Sequence, residues 1–271
     1  MASPVSQESC AVSVSSCLVV GNWKMHGTRA EATALVDGLA ERLAASGPVA
    51  VRHAEIVLCP PHPLLVPVGQ RVRETPFRLG GQDCSSAPPG PRTGEVAAAM
   101  LRDAGCGYVL LGHSERRTHQ HESDAAVRAK VVAAQAVGLT PIVCVGESAA
   151  VRQGGQAVRH VTDQVLGSLP PSVDATATVV AYEPVWSIGT GDTPGVADIE
   201  AMHAALRDAL VGTHGPGPWR VLYGGSVRAR NAGAIAAGSG VDGLLVGGAS
   251  LQPGEFWGIC EAVSLTRTVP P

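Results

Sequence analysis

"TVVAYEPVWSIGTG", residues 178–191, carries two signals in one stretch. Its first half is a continuous apolar, β-branched run with no alternation of polar and apolar positions. Such a run suits a strand buried on both faces, as in a parallel sheet covered by helices. The run ends in a carboxylate, Glu183. Pro184, Val185, Trp186, Ser187 and Ile188 follow, and then Gly189 and Gly191 around Thr190. A simple turn needs neither an exposed Trp nor a Gly-rich far end. A hinged lid over a reactive carboxylate uses both.

Runs of the same kind recur along the chain: "CLVVGNW" (17–23), "EIVLCP" (55–60), "FRLGGQD" (77–83), "YVLLGH" (108–113), "PIVCVGE" (141–147), "RVLYGGS" (220–226) and "GLLVGGAS" (243–250). The segments between them are rich in Ala, Arg and Leu at helical spacing, and Ser123 and Asp124 suit the start of a helix. Strands alternating with helices over about 250 residues predict an α/β fold, a single-domain (β/α)₈ barrel spanning 17–265. An open doubly wound sheet is the rival; it usually has fewer strands and needs a switch point. Residues 1–16 are small and polar, without the basic start of a leader, and read as a flexible extension.

Formal net charge is −3 and the Lys and Arg are not clustered, so neither nucleic acid nor an anionic membrane surface is an expected partner. No apolar run approaches the roughly 20 residues of a spanning helix. Seven scattered cysteines without a C-x-x-C pair read as reduced thiols of a cytoplasmic protein, with Cys10 and Cys17 taken as exposed.

In a (β/α)₈ barrel, chemistry gathers where the strands end in the βα loops. The first run ends in Asn22, Trp23 and Lys24, and Lys24 is one of only two lysines beside eighteen arginines. Its compact ammonium suits a localised negative charge. His113 precedes Ser114 and Glu115, which could open a helix whose N-terminus keeps the imidazole neutral and able to donate. His113, His119, His121 and Glu122 are close enough in sequence to suggest a metal, but the spacing is weak and no ligand set is evident. Glu183, held extended by Pro184, sits beside Val185, Trp186 and Ile188, surroundings that would raise its pKa toward that of a working base once water leaves. Gly224, Gly225 and Ser226, with Gly247 and Gly248, offer bare N–H groups at adjacent strand ends, an arrangement that cradles phosphate. A base, a neutral electrophile, a cation and a phosphate cradle suit proton transfer next to the carbonyl of a small sugar phosphate, with neither metal nor cofactor.

"GNWKM", "GHSERR", "CVGE", "AYEPVWSIGTG", "YGGS" and "DGLLVGGASL" resemble the triosephosphate isomerase family, in its order and over essentially all of 17–260. The resemblance implies a TIM barrel that interconverts dihydroxyacetone phosphate and D-glyceraldehyde 3-phosphate in glycolysis and gluconeogenesis. It implies Glu183 as the base, His113 as the neutral electrophile, and Lys24 and Asn22 on the substrate oxygens. Gly189, Ser226, Gly247 and Gly248 would hold the phosphate, residues 184–191 would form the lid, and Glu115 and Cys144 would support the site. It further implies a homodimer, in which Thr93 on the loop after the third strand reaches the partner's site. A base paired with a neutral imidazole, and a lid that shuts over both, are established properties of that family.

This sequence departs from the family pattern in places. Ser187 stands for the usual lid Ala, His26 for Asn, and Asp83 for Asn. Pro194 occupies the position whose N–H would latch the closed lid to Tyr223, and proline has no N–H. The expectation is therefore that Tyr223 loses its latch and that Ser226 carries closure through Gly191. A related isomerase of a tetrulose phosphate, a non-catalytic scaffold barrel and a phosphosugar barrel of another pathway are the alternatives. The intact "GNWKM", the triad Lys24, His113 and Glu183, and the "YEPVW" lid weigh against them in turn.

Overall fold

The structure, a computed structural model, describes residues 16–188 and 193–267. Residues 1–15 of the expected extension lie outside the described residues, as do Gly189, Thr190 and Gly191 of the expected lid.

Eight parallel strands close into a barrel: β1 Cys17–Asn22, β2 Ala54–Cys59, β3 Arg78–Gly81, β4 Tyr108–Leu111, β5 Thr140–Val145, β6 Val179–Tyr182, β7 Arg220–Tyr223 and β8 Gly243–Val246. The ring is shut by β8 against β1, with Leu18 opposite Gly243 and Gly21 opposite Val246. Around it stand α1 Arg29–Ser46, α2 Leu65–Val72, α3 Ala98–Asp103, α4 Ser114–His119, α5 Asp124–Ala136, α6 Ala149–Gln153, α7 Ala157–Ser168, α8 Val196–His214, α9 Ala229–Ala236 and α10 Pro253–Leu265. Each expected strand is present, but several end earlier than their apolar runs. β7 stops at Tyr223 and β8 at Val246, where the glycine pairs begin. The short helix α4 opens at Ser114, as the sequence suggested, in the loop after β4, and α6 is an addition that precedes α7 in the loop after β5.

The unbroken apolar runs are explained by two separate cores. Leu18 and Val20 belong to an inner cluster made only of strand residues, including Val57, Leu110, Ile142, Val179, Leu222 and Leu245. Val19, between them, packs in the outer cluster under the helices. Alternate side chains of one strand thus point to opposite faces, and both faces are apolar. Gly80 of β3 completes the interior by having no side chain. A Cβ there would lie 2.6 Å from Cys59 Sγ.

Local signals agree with this frame. Thr28 caps α1 through Glu31 in a capping box, and Ser123 caps α5 by accepting from the Ala126 N–H. Cys17 corrects its expected exposure: it opens β1 in the core, and Arg267 Nε donates to its sulfur at 3.0 Å. Among the described residues no helix is long and apolar enough to cross a membrane.

Candidate active site

The loops that leave the C-terminal ends of β1, β4, β6, β7 and β8 meet around a cavity of about 190 Å³. Asn22, Lys24, His113, Glu183, Ser226, Gly247 and Gly248 all line it. Of the expected substrate-binding residues, Gly189 alone cannot be placed, because it lies outside the described residues.

Glu183 is fixed where β6 gives way to the lid. Its N–H bonds Val145 O at 2.7 Å, and the neighbouring Gly146 allows the two loops to touch. A Cβ on Gly146 would sit 1.7 Å from Glu183 O. The carboxylate is 3% exposed; Oε1 lies 2.9 Å from His113 Nε2 and Oε2 accepts from the Ser114 N–H at 3.0 Å. His113 caps α4, with Nδ1 accepting from the Glu115 N–H at 3.2 Å. That bond needs a lone pair on Nδ1, which assigns the proton of the neutral ring to Nε2, facing Glu183.

In the structure without substrate these contacts set the pKa of each group against the direction that burial alone would give. Burial is the largest influence on Glu183 and raises its pKa, yet His113, the Ser114 N–H and Lys24 together bring it below the usual carboxylate value. Burial is also the largest influence on His113 and lowers it, but the charges of Glu183 and Glu115 more than offset burial and lift it above 6.5. Apolar neighbours and a helix N-terminus, weighed one residue at a time, point the other way for each group. The deciding fact is that the two groups face each other.

Lys24 has a left-handed backbone, φ 53°, which a non-glycine residue adopts only when its surroundings hold it. Its N–H bonds Asn22 Oδ1 at 3.0 Å, and Gln82 Nε2 donates to Lys24 O at 2.8 Å and to Cys59 O at 2.9 Å. Its ammonium reaches Glu115 Oε1 at 2.6 Å. Cys144 sits behind Glu183 in the core, and burial pushes its thiol pKa well above 9.

Beyond β8, the 3₁₀ turn Gly248–Leu251 opens directly on the cavity, so its first amides have no intrahelical partner. Gly225 opposite is equally constrained: a Cβ would meet the Tyr223 hydroxyl at 2.1 Å and Ser187 Oγ at 2.8 Å. Ser226 Oγ donates to Ser187 O at 2.7 Å. The expected Ser226 contact with Gly191 falls outside the described residues, and Tyr223 lies against the Ser187 side chain instead.

Trp186 is half-buried, which corrects its expected exposure. Its indole donates to Glu147 Oε1 at 2.9 Å, and the Arg152 guanidinium lies 4.9 Å above its ring. Glu147 is fully buried and also accepts from the Tyr182 hydroxyl at 3.1 Å. Two of the four residues suggested as metal ligands are otherwise engaged, His113 with Glu183 and Glu122 with Arg116 and Lys130, and among the described residues no group of three or more His, Cys, Asp or Glu side chains is placed to hold a metal ion. Thr93 lies on the wholly exposed stretch 88–95 and does not line the cavity.

A family model described as triosephosphate isomerase matches residues 17–263. The chain belongs to the triosephosphate isomerase family. A relative of that name from Xanthobacter flavus is 47% identical over 248 residues, covering 91% of this chain and 97% of its own. Another, from a Chelativorans strain, is 45% identical over 252 residues, covering 91% and 96%. The crystal structure of triosephosphate isomerase from Bartonella henselae superimposes with a TM-score of 0.82 at 38% identity, covering 91% of this chain and 98% of that one.

Membership in the triosephosphate isomerase family accounts for the motif residues, but the geometry adds others to which the motifs assign no role. Gln82 holds the backbone of Lys24, and Glu147 anchors Trp186. Arg228 and Arg230 line the cavity beside the Gly224–Ser226 loop. Gln82 and Glu147 carry a usable signal in the sequence, being polar residues at the end of buried runs. The two arginines carry none in a chain so rich in arginine.

Proposed function

We propose that this protein is an aldose–ketose isomerase that interconverts dihydroxyacetone phosphate and D-glyceraldehyde 3-phosphate through an enediolate. The observation that carries this reading is the convergence of Glu183, His113 and Lys24 on one cavity whose far wall is Gly-rich backbone. Glu183 moves the proton between the two carbons. His113 donates from Nε2 to the substrate oxygen, and Lys24 with Asn22 balances the developing charge. The Ser226, Gly247 and Gly248 amides receive the phosphate. Proton transfer within one substrate calls for no electron carrier.

The hydrogen bonds that lower Glu183 have a mechanistic consequence. A substrate carbon must draw the carboxylate away from the Ser114 N–H. Burial then acts with less opposition, and the base strengthens as it reaches its target. Pro184–Ile188 supply the near half of the lid in this reading, with Trp186 tethered to Glu147 as its base. Closure excludes water and protects the enediolate from losing phosphate.

We further read the protein as a cytoplasmic homodimer. Met25, next to Lys24, is 94% exposed, and the stretch 88–95 with Thr93 stands clear of the barrel. A cleft lined by Lys24, Met25, His62, Gln82 and Glu115 offers such a loop a seat on a second copy.

Turnover on D-glyceraldehyde 3-phosphate, set beside a tetrulose phosphate, tests the activity. Glu183→Gln should lower kcat by about 10²–10⁴-fold. Full turnover in that variant, or preference for the four-carbon sugar, would overturn the reading. Sedimentation of the purified protein tests the dimer.

A further inference from the structure

Among the described residues, Glu183 is the only one to line both the substrate cavity and a second, separate cavity behind it. The rear cavity, about 210 Å³, lies between α4, the connection from β5 to α6, and the first lid residues. It has room for several water molecules, each of which takes about 30 Å³ in the liquid. Its wall includes Ser114, Cys144, Ser148, Gln164, Val151 and His160, and His160 is exposed at its outer end.

The polar wall includes a hydroxyl that needs a partner. Ser114 is 8% exposed, and its Oγ has no hydrogen-bond partner in the protein although its N–H holds Glu183 Oε2. A buried hydroxyl left unpaired costs about 1–3 kcal/mol, and a water in the adjoining cavity removes that cost. A water bonded to Ser114 Oγ would stand beside the residue whose N–H holds Glu183 Oε2.

We propose that the rear cavity is a water-filled path by which the proton taken up by Glu183 exchanges with solvent when the protonated carboxyl swings back toward Ser114, the intermediate still held in front. This rests on Glu183 being the base. The O–H bond of the protonated carboxyl breaks as its proton passes to a cavity water. The water returns one of its own protons to the carboxylate and re-forms an O–H bond. Charge and atoms balance, and water is the sole co-reactant. The path predicts that proton exchange and isomerisation can be separated by changes far from the substrate.

The test is isomerisation of D-glyceraldehyde 3-phosphate in D₂O, with proton NMR reading the fraction of product that keeps the substrate's own hydrogen. Val151→Phe, from α6, narrows the cavity by about the space of one or two waters and leaves the front untouched. It should raise the retained fraction about threefold while kcat stays within about twofold of the parent. Ser114→Ala, a smaller change that removes the unpaired hydroxyl, is read for the retained fraction alone and should raise it too. Unchanged retention in both folded variants overturns the proposal and assigns exchange to the front of the site. Glu183→Asp distinguishes the underlying reading: undiminished kcat in that variant removes Glu183 as base, whatever the retention.

Discussion

Glu183 Oε1 and His113 Nε2 lie 2.9 Å apart, and each displaces the other's titration in the opposite direction to burial. Glu183, held low, contributes stability that is present above about pH 4.5 and lost as pH falls through its folded pKa. His113, held high, contributes below about pH 6.5 and loses that contribution as pH rises through its folded pKa. Removing the imidazole leaves burial less opposed at the carboxylate. In His113→Ala the acid limb of the kcat/KM profile should therefore move to higher pH, because the base protonates sooner on acidification. The same variant should lose about 10²–10⁴-fold in kcat. An acid limb at the parent pH would show that His113 does not hold the carboxylate's charge.

Lys24 keeps a left-handed backbone because Gln82 grips its carbonyl from β3's end. Both hydrogens of the Gln82 amide are used, on Lys24 O and Cys59 O. Gln82→Leu keeps the bulk and removes both donors. It should destabilise the fold by about 1–3 kcal/mol, read in urea, because Lys24 O loses its Gln82 donor and Cys59 O keeps only the Trp23 N–H. It should also raise KM more than it lowers kcat, because the ammonium then samples positions off the substrate oxygen. A variant with parent stability and parent KM would remove Gln82 from this role.

The barrel was legible because its strands are buried on both faces, so their apolar runs stand out without alternation. The site was legible because its polar residues sit just where those runs stop, as Lys24, His113 and Glu183 do. What escaped was contact between distant segments. Nothing in the spacing of His113 and Glu183 says that they share a hydrogen bond, so the influence of each on the other's pKa cannot be read from either segment alone. Lys130 shows the same limit: nothing around it in the sequence marks it as paired, yet it meets Asp83 and Glu122 inside the fold. Burial of a charge becomes visible only when its counter-charge is brought in from another element.

Arg228 and Arg230 stand at the cavity beside the Gly224–Ser226 loop, in a chain whose net charge of −3 would otherwise oppose an anion. Local positive charge at a concave site concentrates field lines and speeds capture of an anionic substrate. Arg228→Gln with Arg230→Gln should lower kcat/KM about tenfold at low salt and flatten its dependence on ionic strength, with kcat little changed. Stopped-flow or coupled assays across a salt series would measure this. Equal losses at all salt concentrations would point to direct contacts instead of steering.

His203, on α8, is completely buried, and its ring explains an expected weakness toward acid. Nδ1 faces Gly240 O at 3.0 Å, so Nδ1 carries the proton, and Nε2 has no partner among the described residues. Charging the ring would put a second N–H into the core without an acceptor, and burial accordingly holds the pKa down at about 4. The unfolded chain binds that proton near pH 6.5, so the native state is favoured above that pH and loses ground as pH falls toward 4. The full difference is about 3 kcal/mol at about 1.4 kcal/mol per unit. His203→Gln can still donate to Gly240 O but cannot be protonated. Urea titrations at pH 7.5 and 4.5 should show a smaller acid-induced loss of stability in the variant, even if its stability at pH 7.5 is reduced. Identical losses in both proteins would place the acid sensitivity elsewhere, with the Glu183 and His113 pair as the next group to examine.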